Sequence, residues 1–386
     1  MDRNTLLAFF LIALVLLFTP KYMETFAPQP AKVETTPHEN KKEKKLDTLL
    51  TTKPKTSQLE NQRKTTFTNS KHEDKTTKIE TDLFTANVSS FNGGSIQDFL
   101  LKDFLTTDSL EVNTISRSKK SNLEIEVKDL NGDPLPLNGN WELSKEPSRT
   151  SSHLDKSLEY RLEVFKNKFI KKSLSFSPDN YAIEINLDFS DIKDLIYRDV
   201  RFSWKGGLSS TEKDSMDDKT YFKVAVYQGK EIEDLKVKEG QSETKKLIGS
   251  TDWGAIRTKY FISALIPNSP ENIRYAEISG KSSNKEEYEL SFVFDCFEET
   301  AFTLYLGPLE YEKIKALGVE LDEIMDFGWS FIRPISKGVL YSLTRMHNYI
   351  PNYGVVLIVF SLLVKILVYP LTKRAINQLQ LCRNTT

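Results

Sequence analysis

The chain has 386 residues, with 53 Lys and Arg against 54 Asp and Glu. That balance leaves no basic excess for a nucleic-acid partner, and the length allows one large or two modest soluble domains. Two distant cysteines, Cys296 and Cys382, and four scattered histidines, His38, His72, His153 and His347, argue against a disulfide framework, a metal centre or His-based catalysis.

Mean hydropathy is low, −0.41, yet the apolar residues concentrate at the two ends. Two membrane segments flanking a polar domain give that distribution. From Leu6 to Phe18 every residue is apolar, and Thr5, Thr19 and Tyr22 extend the run toward the ~20 residues a bilayer needs. A cleaved signal peptide has a core this short. Pro20, Lys21 and Tyr22 stand where its small-x-small cleavage site would be, so residues 1–23 read as an uncleaved transmembrane anchor. Either way the chain beyond them is exported. Residues 24–78 are rich in Lys, Thr and Glu and almost free of aromatics, which predicts a disordered tether.

Residues 79–310 carry short alternating segments: "LFTANVSSF" and "SIQDFLL" around Asn92-Gly93-Gly94, then "NLEIEVKDL", "LEYRLEVFKNKFIKKSLSFS", "YAIEINLDF", "YFKVAVYQG", "YELSFVFDCF" and "AFTLYLG". Short strands between Gly, Asn and Pro turns predict an all-β sandwich. "STDWGAIRTKYFISALIPN" (Ser250–Asn268) lacks clean alternation and reads as a linking piece that packs as core or covers a sheet edge. The domain holds no Gly-x-Ser-x-Gly, no Walker loop and no Cys/His cluster, so neither an enzyme site nor a cofactor is expected. The acid pairs Asp217-Asp218 and Glu298-Glu299 read as solvated turn residues.

Residues 311–348 change period. Ile314, Leu317, Leu321, Ile324 and Met325 recur at helical spacing. A second helix, from Trp329 to about His347, places Ile332, Ile335, Val339, Leu343 and Met346 on one face. With Trp329 at its end and Arg333 and Lys337 elsewhere, it suits a membrane interface. Packing against the β domain is the other reading, and the sequence leaves both open. Asn348 to Asn352 break the helix, with Pro351 placed to start the next.

Residues 350–371 form the second predicted span, with Lys365 its one charge from Tyr353 to Leu371. Arg3 before the first span and Lys373 and Arg374 after the second put the basic flanks on one side, the cytoplasmic one, and the β domain on the other. A charge in mid-span costs about 2.5–3.5 kcal/mol. Ser361, Lys365 and Tyr369 fall at i, i+4 and i+8, with Thr372 a turn further, so the span has one polar stripe. A stripe of this kind faces a protein interior or a watery cavity. Snorkelling is the alternative, since Lys365 lies six residues from the span's end, roughly 9 Å at helical rise.

Several stretches, in order, resemble the YidC family of membrane protein insertases (YidC/Oxa/Alb). They are "MDRNTLLAFFLIALVLLF", "IETDLFTANVSSFNGGSIQDFLLKDF", "DWGAIRTKYFISALIP", "YLGPLEYEKIKALG" and "DFGWSFIRPISKGVLYSLTRMHNYIPNYGVVLIVFSLLVKILVYPLTKRA". The resemblance implies an inner-membrane protein with a cytoplasmic N-terminus and a periplasmic β-supersandwich between an anchor helix and an amphipathic helix. A core of five transmembrane helices follows in the family, around a hydrophilic groove open to the cytoplasm and to lipid. Lys365 falls where the family places a positive, often arginine, residue that draws in a client's polar N-terminal part. Ser361, Tyr369 and Thr372 would line the same groove. Nascent membrane proteins are the implied clients, the Sec translocon and the lipid bilayer the implied partners. The family's chain continues through a helical hairpin and four more core helices. Residues 372–386 are therefore read as the start of a cytoplasmic region, in a chain truncated after its first core helix. A membrane-tethered periplasmic binding or scaffolding module is the competing expectation.

Overall fold

The computed structural model describes residues 73–115, 122–150, 153–212, 215–282, 286–296, 299–328 and 332–384. The predicted anchor, most of the tether and Trp329 lie outside the described residues. The tether's last residues, from Thr76, already belong to the first strand.

Twenty strands are described. They begin with β1 (Thr76–Glu80), β2 (Phe84–Ser89), β3 (Ser95–Leu105), β4 (Glu111–Asn113), β5 (Leu123–Glu126), β6 (Glu142–Lys145), β7 (Ser148–Thr150) and β8 (His153–Asp155). The middle of the domain holds β9 (Ser157–Phe165), β10 (Lys168–Phe176), β11 (Ala182–Asp188), β12 (Asp199–Trp204), β13 (Lys223–Gln228) and β14 (Glu231–Leu235). It ends with β15 (Ser242–Ile248), β16 (Trp253–Arg257), β17 (Phe261–Pro267), β18 (Ile273–Ser282), β19 (Glu286–Asp295) and β20 (Glu299–Pro308). A nine-stranded sheet runs β14-β13-β16-β17-β20-β11-β10-β9-β6. A five-stranded sheet, β15-β18-β19-β12-β5, and a four-stranded one, β1 to β4, accompany it, and β7 and β8 pair alone.

Alternation builds the faces. In β9, Leu158, Tyr160, Leu162 and Val164 point inward in every second place, and Ile170, Leu174 and Phe176 do so in β10. Between the two larger sheets, Phe302 of β20 lies 5.0 Å from Phe202 and 5.5 Å from Phe294, centroid to centroid. The small sheet docks through Phe84, 6.4 Å from Phe176 and 6.3 Å from Tyr181. The result is the expected sandwich of sheets. Asn92, Gly93 and Gly94, all at positive φ, turn the chain between β2 and β3.

One alternative is decided and two expectations change. Ser250–Asn268 packs as core rather than covering an edge: it supplies β16 and β17, interior strands of the nine-stranded sheet whose residues are all buried. With both faces covered, no polar face remains to alternate. The helical spacing from Ile314 to Met325 is not one helix. Helix α2 (Tyr311–Lys315) stops, Gly318 and Glu320 take positive φ, and a 3₁₀ turn follows at Leu321–Ile324. Ile314, Leu321 and Ile324 are buried in the β-domain core, so the spacing reported burial rather than helix continuity. Asp218, within helix α1 (Ser215–Tyr221), is not solvated. It is buried and accepts hydrogen bonds from Ser210 Oγ at 2.8 Å and from the amides of Thr211 and Lys259 at 3.3 Å.

Beyond the β domain lie helix α3 (Arg333–His347) and helix α4 (Tyr353–Asn384). Pro334 sits in the first turn of α3, where its missing N–H is harmless. Pro351 does not open α4; Asn352 precedes it and caps it, Oδ1 accepting from Gly354 N at 2.8 Å. Helix α4 runs through Pro370 and well past the predicted end of the span.

Candidate functional site

Helix α4 contains an apolar stretch, Tyr353–Pro370, long enough to cross a membrane. Between Ser361 and Pro370 every residue is exposed, Lys365 included. Ser361 satisfies its hydroxyl within the helix by donating to Leu357 O at 2.8 Å. Ser361, Lys365 and Tyr369 thus share one exposed stripe, as the spacing predicts. Thr372 continues it by spacing, its side chain lying outside the description. Leu362, Ile366 and Leu367 are equally exposed beside the stripe, so the helix offers apolar surface to lipid or to other helices on its remaining circumference.

Helix α3 joins α4 to the β domain. Its C-terminal turn meets α4 through His347, stacked on Tyr353 with ring centroids 3.7 Å apart. Its N-terminal turn is held by ions. Arg333 pairs with Glu323, and Lys337 lies 3.2 Å from Asp322 and 3.7 Å from Glu323. Lys337 also sits 5.7 Å from the ring centres of Tyr311 and Phe327. The two cations assigned to an interfacial helix therefore bind the β domain's C-terminal segment. The apolar face behaves otherwise: no residue of α3 is buried, and Ile335, Val339 and Tyr341 are exposed. The ionic contacts fit packing against the β domain, and the exposed apolar face leaves the interfacial reading open.

A residue the sequence reading passed over secures the junction from below. Arg257, the last residue of β16, is buried. Its guanidinium donates to Ile324 O at 3.0 Å, Thr258 O at 3.2 Å and Asp326 Oδ2 at 3.4 Å. Burial draws its pKa below the ordinary arginine range, and the Asp326 charge opposes that shift. Tyr227 adds a second tie, its hydroxyl donating to Glu320 Oε2 at 2.6 Å. The signal was present as a charge set, with Lys259, inside the largely apolar run "DWGAIRTKYFISALIP".

The β domain also has a cleft of ≈ 370 Å³ lined by Glu126, Lys128, Asp199, Arg201 and Tyr275, among others. Several of its charges are already engaged: Arg201 pairs with Glu277 at 2.8 Å, and Glu124 with Lys205 at 2.8 Å. Among the described residues, no three His, Cys, Asp or Glu side chains converge to hold a metal ion.

Residues 76–337 match the YidC periplasmic domain family. The chain belongs to that family. The membrane protein insertase YidC of Chlorobium phaeovibrioides is 31% identical over 310 residues, covering 76% of this chain and 53% of the relative. The corresponding YidC of Chlorobium limicola is 29% identical over 388 residues, covering 96% of this chain and 65% of its own length. The chain thus spans about half to two thirds of the YidC relatives it matches. The crystal structure of the Thermotoga maritima YidC periplasmic domain aligns with 65% of this chain, at 11% identity and a TM-score of 0.34.

Proposed function

We propose that this chain supplies the periplasmic β domain, the interfacial helix and the charged span of a membrane protein insertase of the inner membrane, with Sec translocon and nascent membrane proteins as its partners. The observation that carries the reading is Lys365, exposed on a polar stripe in an otherwise apolar helix of a YidC-family chain. A cation at that depth costs about 2.5–3.5 kcal/mol, so it suits a helix whose stripe faces polar surroundings. There it attracts an acidic client tail. Ser361, Tyr369 and Thr372 extend the polar path, and the client's apolar segment gains free energy as it passes into lipid, without nucleotide hydrolysis. The N-terminus is cytoplasmic and the β domain periplasmic under this reading.

The test is insertion of a single-span client with an acidic N-terminal tail into proteoliposomes holding this chain, read by protease protection. Lys365→Leu should lower the protected fraction several-fold and Lys365→Arg should keep it. Equal insertion by all three forms would overturn the reading. It would favour a tethered binding module, for which the ≈ 370 Å³ cleft offers a surface.

A further inference from the structure

The end of the β domain from which the chain leaves toward α3 carries an exposed lip. The β3–β4 turn presents Leu105 and Leu110, 63% and 67% exposed. Thr106 N donates to Leu110 O at 2.8 Å and closes that turn. Across a shallow cleft of ≈ 270 Å³ stands Tyr260, between β16 and β17. The two sides are joined beneath by Phe104, edge-on to Phe261 at 5.6 Å. Lys259 Nζ lies 5.1 Å from the Tyr260 ring centre and 5.9 Å from that of Tyr221, also exposed.

We propose that this lip rests on the anionic surface of the lipid bilayer, so that the β domain touches the same membrane as α3. Composition is the first argument. Exposed tyrosines, a lysine beside their rings and leucines on a tight turn are the residue types that settle between headgroups and acyl chains. The second argument is continuity. The Arg257 guanidinium lies 6.0 Å from the Tyr221 ring and holds Ile324 and Asp326, a few residues before α3. Tyr260 O accepts from Leu309 N at 2.7 Å, at the exit of β20 toward α2. The lip is thus tied through Tyr221 and Leu309 to the Arg257 junction, from which the chain reaches α3 within a few residues. The proposal rests on the reading that Tyr353–Pro370 crosses a bilayer.

The test uses the full chain with Cys382→Ser, reconstituted into phosphatidylethanolamine–phosphatidylglycerol vesicles and labelled with an environment-sensitive fluorophore at single introduced cysteines. Cys296 is a poor competitor for label, because burial pushes its thiol up to about 11. Labels at Tyr260→Cys or Leu105→Cys should lose about half their emission to headgroup-level lipid spin labels and resist aqueous iodide. A label at Ile248→Cys, exposed beside the opposite end of β16, should show the reverse. Tyr341→Cys on α3 separates the two readings. Quenching by lipid there but not at the lip overturns this inference alone; quenching at neither overturns the membrane reading as well. Lip labels shielded from iodide yet untouched by lipid spin labels would mean a protein cover, and would overturn it too.

Discussion

Burial of Lys172 follows from strand phase. It occupies an inward place of β10 between Ile170 and Leu174, and it is fully buried. Nζ donates to Leu123 O at 2.7 Å and Asn92 O at 3.1 Å, with no carboxylate at hydrogen-bond distance among the described residues. Two carbonyls match the two N–H groups of a neutral amine. Burial lowers its pKa to about 7, with the Glu124 charge opposing. The unfolded lysine titrates near ~10.4, so between the two values the unfolded chain holds a proton that the folded chain has given up. Stability is therefore lost as pH falls through that window, by up to about 1.4 kcal/mol per pH unit, and levels off below the folded pKa. Urea unfolding midpoints should rise from neutral pH toward alkaline pH, and Lys172→Met should flatten the rise. An unchanged slope in the variant would mean that the amine stays charged. Gly94 makes a second case. At φ +108, a Cβ there would stand 2.5 Å from Leu174 and 2.9 Å from Tyr160. Gly94→Ala combines backbone strain with overpacking and should cost about 2–5 kcal/mol in denaturant unfolding. Gly132→Ala, at φ +91 with open space around it, should cost only about 1 kcal/mol.

Helix α3 divides its two faces between two environments, and that division can be measured. Its Arg333 and Lys337 meet Asp322 and Glu323, both largely sheltered, while Ile335, Val339 and Tyr341 stay exposed. Partly screened pairs of this kind couple by about 0.5–1 kcal/mol. A double-mutant cycle on Lys337→Ala and Asp322→Ala, read by hydrogen exchange in the first turn of α3, should give that coupling, and salt should weaken it. Zero coupling would mean that this pair does not hold the turn, leaving it to Arg333 on Glu323 and to Ser336, which donates to Phe327 O at 3.1 Å. The sequence made some elements legible and hid others for identifiable reasons. Strands β9 and β10 were legible because one face is buried and the other wet. β16 and β17 were not, since burial on both faces erases the period. The Ile314–Ile324 spacing misled because α2 and the 3₁₀ turn bury the same residues a single helix would have buried. The polar stripe of α4 was legible because helical geometry alone sets it. The ionic seat of Arg333 and Lys337 was not, because it depends on acids that only the turn at Glu320 brings within reach.

At the scale of the whole molecule the question is how rigidly the β domain is joined to helices α3 and α4. A simple linker would leave it free to swivel. The structure instead has Tyr227 on Glu320, Arg257 on Ile324 and Asp326, and the α3 cations on Asp322 and Glu323, all within one short segment. Arg257 is the member of this set whose loss strands the most polar surface. Asp326 is largely exposed and can turn to water, but the carbonyl of Ile324 sits beside a buried residue and has less access to solvent. Removing a charged donor of that kind costs about 1.5–3 kcal/mol. If the cost falls on local opening rather than on global unfolding, amides of residues 320–328 should exchange roughly ten to one hundred times faster in Arg257→Met than in the parent chain. Amides of β9 and β10, remote from Arg257, should exchange as before. Lys365→Leu acts on α4 alone and should leave both sets unchanged. Uniform acceleration across the β domain in Arg257→Met would show instead that the arginine supports the core rather than the junction.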